Sequence, residues 1–525
     1  MNIIERLRVA ARVSRNLMTL PSAALAPGTY NEAGIKLLSG EWEGGQNSRL
    51  RRSRRTRLVS HDTDLNYGTR EFLMSKARSL RQNTPLPGAI LRRYADYCVH
   101  PQAMVQWITG DHDWDMQMQD AWAAWTRTCD ATGENTLPQI LRTLVESSHC
   151  DGDAFLHKER DGEELKVRGI EADRITNAKG GTVGFDNVLP SNVPRDVGGV
   201  WIDAQGRKRG FTVCDRTGWG AFTNPRYVDA TEFLHYHHSE RFESYRGVSS
   251  FAAVINSLDD LKETIEAEQL AQKIASNLTI LERNALGAKM GPQALADGAT
   301  DNAGNTQKLE DMAAGIMRYM AHGDDLSMFT SERPAEGWRW LVEFTIRGIS
   351  LGIHLPYEIV WNLSGLTGTS VRLVSKMAER TFNAEMDNLE RRVIDPLACW
   401  FACDQMERGL IARNPNWMFF QALRPAYITA DVGRESSANL AELNAGCRTE
   451  ESICREQGWQ GVDVRTARAG EVRHRIQLAT QISEETGGAL SMKEVLAMMG
   501  GARVSRRISE VKVVFQSSTG SGAVA

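Results

Sequence analysis

At 525 residues the chain is long enough for two to four domains, each with its own core. Its 42% hydrophobic and 24% charged residues are those of an ordinary folded protein, and a net charge of -4 argues against a general nucleic-acid binder, which is normally basic. No run approaches the ~18 apolar residues of a membrane span. Met1 to Leu20 carries Arg6, Arg8, Arg12 and Arg15 without an apolar centre, so it reads as a short amphipathic helix and not a secretory signal. The eight cysteines are scattered, with Cys399/Cys403 four apart and Cys447/Cys454 seven apart. Neither pair has a zinc-ligand pattern, so free thiols in a reducing cytoplasm are expected, with no metal and no cofactor.

Residues 21–70 are rich in Gly, Pro, Ser and Asn and contain the run Arg51, Arg52, Arg54, Arg55, Arg57. Such a run is a solvated arm, or a segment that meets an acidic partner or DNA. Ser75 to His100 reads as helix, turn at Asn83 to Gly88, helix. Trp114, Trp122 and Trp125 then fall in a helix as core residues. From Cys150 to about Arg241 the pattern changes to short alternating runs (DAFLHKER, LKVRGIEADRI, VGGVWID, KRGFTVCD, EFLHYHH) separated by Gly, Asn and Asp, the signature of a mixed or antiparallel sheet. His235 and His237 share one strand face. With no carboxylate or cysteine at ligand spacing beside them, they and His238 read as a surface or interface cluster.

A helix follows, capped by Ser249 or Ser250, with Phe251, Val254, Leu258, Leu261 and Ile265 on one seam before the stripe shifts to Leu270, Ile274 and Leu278. Asp259, Asp260, Glu263, Glu266 and Glu268 lie among these with only Lys262 to offset them, an acidic solvated face. From about Glu282 to Arg333 periodicity fades, leaving a short helix at Leu309 to Met320 and a strand-like LSMFTSE; so long a polar insertion is a mobile loop or a functional element. Trp338 to Leu355 carries Val342, Ile346, Ile349 and Ile353 on one helical stripe, ended by Pro356. Trp361, Asn362, Leu363, Ser364, Gly365, Leu366, Thr367, Gly368, Thr369 and Ser370 then favour a turn. Val374, Ala378, Phe382, Met386, Leu389, Val393 and Leu397 lay a second stripe, with Asp387 and Arg391 as an i,i+4 pair. NPNWMFFQAL and Pro425 lead into further helices, and QSSTGSGAVA is a flexible tail.

The segment LPYEIVWNLSGLTGTSVRL resembles that of lambda-type tailed-phage portal proteins, in which a leucine-proline-aromatic-acidic run leads through a polar loop to a serine and an arginine. The run at Ser75 to His100, FLHYHHSERFESYRGVSSF, and AELNAGCRTEESICREQGWQGVDVRTARAGEVRHRIQLA resemble further signatures of that family, in the same order, over about Ser75 to Ala479. Where relatives carry an aromatic-Ser-Ser-small-Arg run, this chain has Gly368-Thr369-Ser370-Val371-Arg372.

The resemblance implies an α+β, mainly helical portal-type fold assembled into a ring of about twelve subunits. Its parts would be an N-terminal helix and basic arm (1–70), an α+β wing (71–246), a first stem helix (247–282), a clip (283–335), a second stem helix (336–357), a tunnel loop (358–371), a long helix with wing return (372–430), a helical crown (431–505) and a tail (506–525). The implied function is a channel at one capsid vertex of the virion, made in the bacterial host cytoplasm, through which double-stranded DNA is packaged and ejected. The implied partners are the terminase large subunit, the major capsid or scaffold proteins and a head-tail adaptor, with no membrane. Trp361 to Ser370 would touch the duplex, and the acids Asp259, Asp260, Glu263, Glu266 and Glu268 would line the wall and repel phosphate.

Geometry is consistent with a channel of that size. Twelve helices at ~10 Å spacing put their axes on a ring of ~38 Å diameter, leaving a ~28 Å lumen for a ~20 Å duplex; six would leave only ~9 Å. Enzyme readings are weaker. SGLTGTS lacks the lysine of a phosphate loop, and Asp111 to Asp115 (DHDWD) offers possible metal ligands but has no second acidic cluster with a lysine. The alternatives are a metal-dependent nuclease and a capsid or scaffold component that forms no hole.

Overall fold

The computed structural model describes residues 59–176, 195–217, 222–277, 281–284, 299–300, 306–307, 324–327, 336–362, 366–427, 432–485 and 491–499. The N-terminal helix, the arginine run at 51–57, the helix expected at Leu309 to Met320 and the C-terminal tail lie outside them. The chain divides into two units, 1–66 and 67–525. In the first, a single helical turn His61–Asp64 is capped by Ser60.

The second unit is α+β and mainly helical. It opens with α1 (Tyr67–Asn83) and α2 (Pro85–Cys98), separated by Thr84 alone. The expected turn at Asn83 to Gly88 is therefore shorter: Pro85 sits at the first helical position, where its missing N–H costs nothing and its fixed φ suits the helix. After strand β1 (Val105–Trp107) comes α3 (His112–Trp125). Trp114 and Trp122 are buried, with Trp125 packed against the same core. Each indole N–H finds a carbonyl, of Ala412, Ala103 and Leu165 respectively, at 2.7–2.8 Å. DHDWD is the start of this helix. Asp111 caps it by accepting from Trp114 N, and Asp115 accepts from the Thr109 amide and hydroxyl. Helix α4 (Leu137–Asp151) follows, opened by a Thr136/Gln139 capping box.

Among the described residues, the strands between Asp153 and His237 form two antiparallel sheets. One has the order β3 (Glu164–Ile170), β2 (Asp153–Asp161), β8 (Phe233–His237). The other runs β4 (Arg195–Val197), β5 (Val200–Ile202), β6 (Lys208–Arg216), β7 (Phe222–Asp229). The pleat of β2 and β8 divides the interior. Ala154, Leu156, Leu234 and Tyr236 join a large core built with the helices. Phe155 and Phe233 join a smaller core shared with Phe211 and Val213 of β6.

Helix α5 (Ile255–Asn277) starts later than its serines suggest. Ser249 and Ser250 are bonded instead to His149 of α4, and Phe251 to Val254 form a turn. Past α5, β9 (Leu281–Asn284) pairs with β12 (Asp324–Ser327), and β10 (Ala299–Thr300) pairs with β11 (Thr306–Gln307). The strand-like LSMFTSE is thus a strand at its start.

Helix α6 (Glu336–Gly352) buries Val342, Ile346 and Ile349, as its stripe predicts, in the core that also takes Val254, Leu258 and Leu261. Pro356 does not end it directly. The helix closes at His354, whose φ of 59° is the left-handed turn that glycine usually supplies. His354 N bonds to Leu351 O and Leu355 N to Ser350 O. Pro356 then caps a four-residue helix α7 (Tyr357–Val360).

The second stripe folds as one helical run in three parts: α8 (Gly368–Leu389), a π turn (Glu390–Ile394) and α9 (Asp395–Glu407). The widened turn sits before Pro396, which has no N–H to give the carbonyl four residues back. Ala378, Phe382, Leu389, Val393 and Leu397 are fully buried. Asp387 and Arg391 do not pair; Asp387 and Glu390 instead share Arg424. Strand β13 (Phe420–Ala422) returns to pair with β1. Helices α10 (Val432–Asn444), α11 (Glu450–Glu456), α12 (Gly461–Glu485) and α13 (Met492–Met499) complete the described chain. All eight cysteines are free, four of them buried.

Candidate functional site

Of the ten loop residues, Gly368, Thr369 and Ser370 are the first turn of α8 and not loop. Thr367 is its N-cap residue, and the Thr367 and Ser370 hydroxyls lie 3.0 Å apart. Trp361 and Asn362 follow α7 and are exposed, as is Thr367, while Leu366 is half-buried. Leu363, Ser364 and Gly365 lie outside the described residues. The described residues on its near side are therefore exposed, and its far end is a helix N-terminus, where amides favour anionic oxygens. Its near end is fixed by Arg93, which donates to the Val360 carbonyl.

The five acids of α5 are not equivalent. Asp260, Glu263 and Glu266 are exposed, and Glu268 is half-buried. Asp259 is held by Lys76 of α1 at 2.7 Å. Lys262 approaches Glu266 only to 3.9 Å. The exposed acids thus form a short negative face on the first half of α5.

The described helices expose apolar side chains as well as burying them. On α6, Trp340, Phe344 and Leu351 are 65%, 61% and 77% exposed. At ~100° per residue they point about half a turn away from Val342, Ile346 and Ile349. Trp340 and Phe344 stack with centroids 5.2 Å apart. Leu373 and Met377 of α8, and Leu270 of α5, are also mostly exposed. Helix α6 is thus apolar on two opposite faces, one buried and one exposed.

Of the three clustered histidines, His238 is half-buried and the other two are not on the surface. His235 and His237 do share a face, but both are buried, and the chain brings carboxylates to them from far away in sequence. On that face His235 Nε2 lies 2.7 Å from Asp153 Oδ1, and Lys208 Nζ lies 2.8 Å from His235 Nδ1 and 2.7 Å from His237 Nε2. Asp153 also accepts from Arg246 Nε (2.6 Å) and Gly247 N (2.7 Å). Arg246 donates onward to the carbonyls of Ala172, Ile175 and Gly198, and Arg70 joins it at Gly198. Gly247 has to be glycine: a Cβ there would lie 1.9 Å from the Gly152 carbonyl oxygen. This gives the Arg-Gly pair of the sequence signature its physical reason.

Three basic side chains, Arg246, Arg70 and Lys208, thus gather around one buried carboxylate. Burial would raise the Asp153 carboxyl, but Arg246 and then His235 hold it well below the usual range. Burial pushes Lys208 down to about 7, and burial with Arg246 pushes Arg70 down to about 9. His237 falls to about 3 through burial and then Lys208.

On the other face of β8, Tyr236 donates to Glu385 of α8, and His238 Nε2 lies 2.5 Å from Glu385 Oε2. His149 of α4 stacks on Tyr94 and reaches the same carboxylate. Sequence reasoning missed Asp153, Lys208, Arg246 and Glu385, whose partners lie 27 to 149 positions away.

The family model described as "Phage portal protein, lambda family" matches residues 47–385. No curated protein sequence matches the chain. Among solved structures it is similar to a chain of the virion of a native gene transfer agent particle (12% identity, 75% of this chain and 99% of that one, TM-score 0.46). It is also similar to a chain of the neck of an empty gene transfer agent particle computed with C6 symmetry (11%, 73% and 93%, TM-score 0.44). A third is an HK97 family phage portal protein from Corynebacterium diphtheriae (10%, 67% and 90%, TM-score 0.25). Among the described residues no helix is long and apolar enough to cross a membrane.

Proposed function

The chain belongs to the lambda family of phage portal proteins, and from that premise we propose that about twelve copies close into a ring whose bore admits double-stranded DNA during packaging and ejection. The observation that carries this reading is the second apolar face of α6. Trp340, Phe344 and Leu351 lie opposite the buried stripe, and a neighbouring subunit standing alongside would cover them. Full burial of each such side chain contributes ~1.5–3 kcal/mol, enough in sum to draw helical staves together. Asp260, Glu263 and Glu266 then face the bore, where negative charge repels phosphate and keeps the duplex moving. Trp361 to Thr367, with the N-terminus of α8 behind them, form the ring of loops that meets the duplex and hinders back-slip.

The partners of such a ring are a terminase motor, a capsid or scaffold shell and a head-tail adaptor. The energy for packaging comes from the motor. Electron micrographs of negatively stained, purified protein test the reading directly: end-on particles are annuli with a stain-filled lumen. Solid particles or lone chains, with capsid partners present, overturn it. Deleting Gly365 to Thr367, which stops short of the helix at Gly368, leaves ring assembly intact and lowers the amount of DNA retained in filled heads. Full-length packaging by that deletion would remove the loop from the mechanism.

A further inference from the structure

The face of β8 that meets α8 holds a cluster different in kind from the Asp153 network. One imidazole nitrogen each from His149 and His238 and a carboxylate oxygen of Glu385 all lie within 4.8 Å of one another. They come from α4, the residue after β8, and α8. His149 Nε2 lies 3.3 Å from Glu385 Oε1, an ion-pair distance, yet among the described residues this buried nitrogen makes no hydrogen bond. Its other nitrogen, Nδ1, lies 2.8 Å from Ser250 Oγ, and its ring is clamped between Tyr94 and His238. A histidine held at Nδ1 by a hydroxyl, with an idle Nε2 aimed at a carboxylate, is oriented as a metal ligand is oriented. Glu385 is steadied in the same way, by the Tyr236 hydroxyl on Oε1.

From this geometry we infer that His149, His238 and Glu385 form a divalent transition-metal site, with two imidazole nitrogens and one carboxylate oxygen of the type that suits zinc. The His149 and Glu385 side chains are each 6% exposed, while His238 is 33% exposed. The ion therefore enters past His238, and a water completes its shell from that side. The ion takes the place of the proton between Glu385 Oε2 and His238 Nε2; that proton passes to solvent while His238 Nδ1 carries the N–H, so the ring binds as a neutral imidazole and each ligand atom moves to ~2.0–2.2 Å from the ion. A bound ion would join three elements at one point and brace the long helix against the sheet.

The test uses the full chain, stripped with chelator and titrated with cobalt(II) chloride, followed by visible absorption and by competition with zinc chloride. The expected result is one Co2+ per chain in a low-coordinate visible spectrum, displaced by zinc, with zinc raising the melting temperature and EDTA reversing it. His238→Ala and Glu385→Gln each weaken Co2+ binding on the order of 100-fold or more, while His112→Ala, an exposed histidine outside the cluster, leaves it unchanged. If Glu385→Gln does not fold, the half-exposed His238 variant decides alone. A wild-type chain that takes up no Co2+ at micromolar concentration, or Co2+ binding that survives His238→Ala, overturns the site and leaves a proton-linked His–Glu–His cluster in its place.

Discussion

Asp153→Ala costs this protein ~3–5 kcal/mol of stability, the penalty for leaving buried charge without its counter-ion. Asp153 is fully buried, and its two oxygens are committed to His235 and Gly247 on one side and Arg246 on the other. Remove it, and Arg246, Arg70 and Lys208 face one another across a dry interior. Lys208→Met removes a cation instead and keeps an apolar stem, so its cost is far smaller, despite lying in the same cluster. Urea unfolding of the two variants measures the difference. A loss under ~1 kcal/mol for Asp153→Ala would refute the idea that this carboxylate ties β2, β8 and the Arg246 segment together.

The same group sets an acid limit. A carboxyl held below its ordinary value contributes stability that is fully present above the unfolded pKa of ~3.9. That contribution disappears as pH falls toward the folded value. Unfolding below about pH 4 should therefore be shallower in Asp153→Ala than in the parent chain.

The second large effect concerns association. Trp340→Ser with Phe344→Ser leaves the subunit folded, since both side chains are mostly exposed, but abolishes the ring. The pair stacks on the face of α6 opposite its buried stripe, so polar replacements remove the apolar area that the proposed ring would bury and leave the core of the chain untouched. Light scattering during size-exclusion chromatography would read monomer mass for the double variant and ring mass for the parent, while thermal unfolding of the isolated chain stays within about 1 kcal/mol. Rings of normal mass would mean that this face packs against something else. By contrast, Val342→Ser on the buried stripe should lower the melting temperature of the chain itself.

Much of the helical framework was legible because a stripe of period 3.6 is local. Val342, Ile346 and Ile349 on α6, and Ala378 through Leu397 on the long run, are buried as their spacing implies. The ends of elements were less so. His354 ends α6 in a left-handed turn that a sequence reader assigns to glycine, and Pro396 widens a helix it does not break. Asp387 pairs with Arg424, a long-range contact that outweighs an i,i+4 partner worth a few tenths of a kcal/mol.

The histidines show the limit most plainly. Alternation in FLHYHH correctly put His235 and His237 on one face. Nothing near them in sequence announced Asp153, 82 positions earlier, or Glu385, 147 positions after His238. Their absence from the neighbourhood suggested an exposed cluster, and only the tertiary fold reverses that.

Strand β8 can settle beside β2 in one register only. Moving it by a single residue would turn Tyr236 toward Asp153 and Lys208, and present His235 and His237 to the side that meets Glu385 and the long helix. Both of its surfaces would then object at once, one through charge stranded without His235, the other through loss of the Tyr236 ring from the large core.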